Sequence, residues 1–155
     1  MEKIQITAKQ KQFLLKGFKK MKSAGIAFIS FGAAATVSSI IVNLITDNVF
    51  FMSGVGFMGF LAMGVIFNVQ AEAAMKKINQ DDFQVFKITC IRKRFFGEYA
   101  VVENNEILSK RVRKPSKWIM FIGPSKSVQA GDEIGVFKYR YKFKEVFAFS
   151  LDASQ

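Results

Sequence analysis

Two stretches of the chain lack any charged side chain, residues 23–46 and residues 48–71. Each is 24 residues long. As helices rising ~1.5 Å per residue they reach about 36 Å, enough to cross a hydrocarbon core about 30 Å thick with some tilt. Between them stands Thr46-Asp47-Asn48, a polar turn that holds the only charge of the region. So short a link makes the two helices antiparallel neighbours. The pattern therefore predicts a two-helix transmembrane hairpin over 23–71.

The flanks read differently. Residues 1–22 open with Thr7-Ala8-Lys9-Gln10, which fits a capping box. Apolar positions Phe13, Leu14, Leu15, Phe18 and Met21 follow among Lys11, Lys16, Lys19, Lys20 and Lys22. This is a basic amphipathic N-terminal helix, expected on the inner leaflet or as a solvated extension of the first span. After the hairpin a helical linker is expected over 72–80, stopped by Asp81-Asp82.

From residue 81 the period shortens. Expected strands are Phe83–Phe96, Tyr99–Glu103, Glu106–Arg113, Lys117–Ile122, Glu133–Tyr141 and Glu145–Leu151, with turn residues between them. Short strands at this spacing predict a C-terminal all-β domain over 81–155, an antiparallel sheet or small barrel. Val128-Gln129-Ala130-Gly131-Asp132-Glu133-Ile134 matches a turn common in small β barrels. In such a turn Gly131 can take a positive φ and Asp132 can bond the turn backbone.

Charge orients the picture. The chain carries +11 overall although half of it is hydrophobic. Lys3, Lys9, Lys11, Lys16, Lys19, Lys20 and Lys22 precede the first span, and Lys76 and Lys77 follow the second. The turn between the spans has no Lys or Arg. The positive-inside rule then places both termini in the cytoplasm of a multi-pass protein of the inner (plasma) membrane, and the 81–155 domain with them.

Chemistry is sparse. There is no histidine and one cysteine, Cys90, in the apolar stretch Ile88-Thr89-Cys90-Ile91. Cys/His metal sites and His-based triads are excluded, and a buried small hydrophobe is the expected role of the thiol. Neither a phosphate-cradling glycine loop nor a convincing carboxylate pair stands in the chain. It reads as a non-enzyme without cofactor.

What remains is packing and charge. Ser30, Ala34 and Ser38 repeat at i+4 on the first span, and Gly54, Gly56, Gly59 and Gly64 thin out the second. Small residues let helices approach closely in lipid, within the hairpin or between copies, so a homo-oligomer is expected. Asn43 and Asn68 would be costly against acyl chains. In the β domain, residues 137–144 alternate strictly: Phe137, Tyr139, Tyr141 and Phe143 against Lys138, Arg140, Lys142 and Lys144. In a strand the two sets face opposite sides. Arg92, Lys93 and Arg94 form a second basic group. Lys110, Arg111, Arg113, Lys114 and Lys117 form a third. These charges read either as a solvated exterior over an aromatic core or as a surface for an anionic nucleotide, anionic lipid headgroups or nucleic acid. The ligand-binding candidates are Lys138, Arg140, Lys142, Lys144, Arg111, Arg113, Lys114 and Lys117.

Uncharged runs 23–46 and 48–71 followed by basic strands give an order of parts that resembles the small membrane effectors of antiphage signalling. In that family a membrane-helix unit is joined to a cytosolic domain that binds a cyclic oligonucleotide. The resemblance implies a sensor-effector acting through oligomeric hairpins, and it carries over no ligand residue. The layout is also similar to short NfeD-type proteins, although the Gly-rich pattern of their barrel is thin here. The alternative function is a scaffold or accessory subunit of a membrane complex, with the β domain as a protein-binding module.

Overall fold

The computed structural model describes residues 2–46, 51–94, 98–103, 108, 116–123, 127–140 and 146–152, with side chains left aside at 46 and 51–56. The expected strand Glu106–Arg113 and the turn residues Asp47 and Asn48 lie outside this set, Leu108 excepted. Two helices, α1 (Ala8–Thr46) and α2 (Phe51–Asn79), accompany seven strands among the described residues. The strands are β1 (Glu2–Ile4), β2 (Gln84–Thr89), β3 (Arg92–Arg94), β4 (Tyr99–Glu103), β5 (Ser116–Met120), β6 (Glu133–Lys138) and β7 (Val146–Ser150).

The chain divides into two compact units, Lys19–Ala73 and Met1–Phe18 with Ala74–Gln155. The division differs from the one expected from charge. The first 18 residues belong with the β domain, because β1 pairs antiparallel with β2 and the first turns of α1 cover a sheet.

In the helical unit α1 and α2 run antiparallel. Ring contacts between Phe28 and Phe67 and between Phe31 and Phe57 fix the direction. The backbones approach most closely at Gly25 and Gly64. A Cβ on Gly25 would stand 2.8 Å from the Gly64 carbonyl oxygen, and one on Gly64 would stand 2.7 Å from that of Gly25. Gly32 meets Leu61 in the same way. Gly64 is thus a contact residue, as expected. Gly59 is not: it is exposed, with nothing within 4 Å of its Cβ direction. Ser30, Ala34 and Ser38 are exposed too. The reason is angular. At about 100° per residue, Gly25 and Gly32 share one face, and a stripe starting at residue 30 falls roughly 140° away. Both helices are long and apolar enough to cross a membrane, and only 11% and 22% of their most apolar windows are buried within the chain. Helices of a soluble core hide such surface.

The other unit has three layers. A four-stranded sheet of order β1-β2-β6-β7 and a three-stranded sheet of order β3-β4-β5 are both antiparallel. The described strands do not close a barrel. The sheets are joined by the bridge between Phe121 and Ala148, where the Ile122 N–H also donates to the Ala148 carbonyl (2.7 Å). Between them lies the core: Ile134, Val136, Val146 and Ala148 against Ala100, Val102 and Ile119. The other face of the larger sheet carries Val85, Phe137 and Phe147 in one register row. Phe18 of α1 packs on it, with ring centroids 5.6 Å from Phe137 and 5.2 Å from Phe147. Leu14 and Phe18 are fully buried. The apolar stripe expected to lie on a leaflet is therefore turned onto protein.

Local signals account for several boundaries. The Thr7 N–H donates to Gln10 Oε1 (2.9 Å) and the Gln10 N–H to Thr7 Oγ1 (3.2 Å), a reciprocal capping box at the start of α1. Asp81, with φ 54°, ends α2 in the left-handed region. The expected strand Phe83–Phe96 is cut at Cys90, where its backbone leaves one sheet for the other. The Cys90 N–H bonds the Asp132 carbonyl, and the Ile91 N–H bonds that of Val101.

Candidate functional site

The turn before β6 is built as its sequence suggests. Gly131 has φ +95°, and the Gln129 N–H donates to Asp132 Oδ2 at 2.7 Å. The Gly131 N–H bonds the Cys90 carbonyl at 2.8 Å, which holds the turn against the sheet crossover. Its role is to set the register of β6, which delivers the first candidate ligand residues at its far end.

Along β6 both faces are buried. Ile134 and Val136 point into the inter-sheet core, and Phe137 points to α1. The alternation continues through Tyr139, which is 2% exposed and stacked on Phe147 with centroids 6.2 Å apart. Lys138 stands in the row of Gln84 and Val146, on the same side as Val136, and is half-buried. Over residues 137–140 the expected alternation is present: Phe137 and Tyr139 are buried on one side, and Lys138 and Arg140 stand on the other. The basic side opens at the end of β6, where Lys138 is half-buried and Arg140 beyond it is exposed.

At this edge opens a groove of about 450 Å³ lined by Asp81, Asp82, Phe83, Gln84, Lys138, Tyr139 and Arg140. Its two carboxylates are engaged from outside the lining. Lys11 Nζ meets Asp81 Oδ1 at 2.6 Å, and Lys77 pairs with Asp82. Among the described residues at this groove, Lys11, Lys77, Lys138 and Arg140 stand beside two aspartates. A neighbouring groove of about 360 Å³ shares Asp81, Phe83 and Gln84 and adds Lys3 and Lys11.

Lys117 lies on β5 of the other sheet, half-buried, with its ammonium bonded to the Leu108 carbonyl. Lys142, Lys144, Arg111, Arg113 and Lys114 lie outside the described residues. Sequence reasoning missed Asp81, Asp82 and Gln84 as groove lining. It read the aspartates as a helix stop, and only the β2–β6 pairing brings them beside Lys138.

Desolvation pushes the Cys90 thiol up, which makes it a poor nucleophile, and it is fully buried. A hydrogen bond to Glu133 raises Lys87, whose ammonium lies 2.5 Å from that carboxylate. This pair ties β2 to β6 at the surface, on the opposite end of the strands from the groove. Among the described residues no three His, Cys, Asp or Glu side chains gather as a metal site.

No family model matches the chain, and no curated protein or solved structure matches it.

Proposed function

We propose that the chain is a two-span protein of the inner (plasma) membrane, with both termini cytoplasmic, that acts as a non-enzymatic sensor-effector. Its basic β domain binds an anionic ligand, and the helical hairpins, packed between copies, respond. A cyclic oligonucleotide is the ligand class to test first. The observation that carries this reading is the groove at the end of β6. Lys138 and Arg140 line it, and each of its two aspartates is met by a lysine, Lys11 or Lys77. An anion there meets Lys138 and Arg140, and among the described lining residues no carboxylate is left uncompensated. The apolar surface left outside the α1–α2 contact supports the membrane part. The exposed small residues Ser30, Ala34 and Ser38 support close packing between copies.

The test is a thermal melt of the full-length chain in detergent against cyclic di- and oligonucleotides. A ligand bound only to the folded state at 100 times its Kd adds about 2.7 kcal/mol. The expected result is a raised melting temperature that Arg140→Gln and Lys138→Gln each diminish. No rise with any of these ligands, or an equal rise in both variants, removes the groove as the site and returns the scaffold reading.

A further inference from the structure

The three-stranded sheet has an outer face that the groove does not use. Its register places Arg92, Val101 and Trp118 in one row and Arg94, Tyr99 and Met120 in the next. The alternate positions Ala100, Val102 and Ile119 belong to the inter-sheet core, so these two rows point away from it. Trp118 is 44% exposed, a large value for an indole in the middle of a strand. The Arg94 guanidinium lies over its ring, 5.4 Å from the centroid. Arg92 and Arg94 are exposed, and Val101 between Arg92 and Trp118 is buried. Glu103, paired with Ser116 at the corner, is the one carboxylate on this face among the described residues.

An exposed aromatic surface with a guanidinium held on it and a second arginine in the adjoining row suits a planar ring joined to an anion. Aromatic side chains take up bases by stacking, and arginine adds cation–π contact and a fork for phosphate. Size narrows the occupant. Three strands spaced ~4.8 Å and three to five residues long at ~3.3 Å give a patch of roughly 10 by 15 Å. A stable protein interface takes about 800 Å² from each partner, several times this area. One or two bases fill it. Within this unit the face lies on the far side from the first turns of α1, since Phe18 packs on the larger sheet and the larger sheet stands between.

We propose that the outer face of the three-stranded sheet binds a free nucleotide, its base stacked on the Trp118–Arg94 surface and its phosphate held by Arg92 and Arg94. This site is separate from the groove at Lys138 and Arg140 and stands or falls independently of it.

The chain has a single tryptophan, so its fluorescence reports this face alone. Full-length protein in detergent is titrated with adenosine 5′-monophosphate, with ribose 5-phosphate, and with vesicles of phosphatidylcholine and phosphatidylglycerol. The expected result is saturable quenching by the nucleotide that ribose 5-phosphate does not reproduce. Arg92→Gln, which leaves the Arg94–Trp118 contact in place, weakens it roughly tenfold, the loss of one charge-assisted phosphate contact. Arg140→Gln leaves it unchanged. Absence of saturable quenching at millimolar nucleotide, or equal affinity in Arg92→Gln, overturns the proposal. A spectral shift with vesicles and none with nucleotide also overturns it and makes the face a membrane contact.

Discussion

At the residue scale, close approach does more than charge. Gly135 on β6 stands opposite Phe149 on β7, and the Phe149 ring occupies the space a side chain at 135 would take. Phe149 is fully buried and has no open direction in which to yield. Gly135→Val is therefore expected to destabilise the β domain by about 1–3 kcal/mol, the usual cost of overpacking, although valine is the better strand former. A denaturation curve of the full-length protein followed through the sheet signal checks this, and an unchanged midpoint would contradict the packing. Exposed ion pairs such as Lys22–Glu72 (2.6 Å) contribute far less individually. Their use is in positioning, as Lys11 and Lys77 do for the groove aspartates.

At the scale of elements, the helix contact turns on Gly64, which the sequence pattern singled out, and on Gly25, which it did not. Gly25→Leu or Gly64→Leu would force the α1 and α2 backbones apart, and each is expected to cost on the order of 1–3 kcal/mol in detergent stability. Gly59→Leu points outward and should change it by less than about 0.5 kcal/mol. Thermal melts of the three variants decide the matter; a larger loss at Gly59 would place the contact on the other face. What was legible follows the strength of local signals. Tyr99–Glu103 appears with the bounds expected, and so does the capping box at Thr7 and Gln10. The strand Glu2–Ile4 was not legible, because three residues carry no period and its pairing partner lies some eighty positions away. The apolar stripe of Leu14 and Phe18 was visible but its occupant was not, since a leaflet and a sheet ask for the same pattern. In Ser116–Met120, Trp118 and Met120 alternate with Lys117 and Ile119, and apolar residues on both sides left the inward face undecided. The i, i+2 spacing of Arg92 and Arg94 was the available hint that one face of this sheet is outward.

At the scale of the molecule, the account joins a pair of apolar helices to a three-layered basic domain and reads the first as a membrane hairpin and the second as cytoplasmic. Nine lysines flank the helices on one side and none lies in their turn. On the proposed reading that asymmetry sets the orientation, and every ligand considered for the groove or the outer sheet face is then a cytoplasmic one. A topology reporter therefore tests the central claim most directly, fused after Gln155 in one case and inserted at Asp47 in the other. The account predicts a cytoplasmic signal at Gln155 and an external signal at Asp47. An external signal at Gln155, or a cytoplasmic one at both positions, would contradict it.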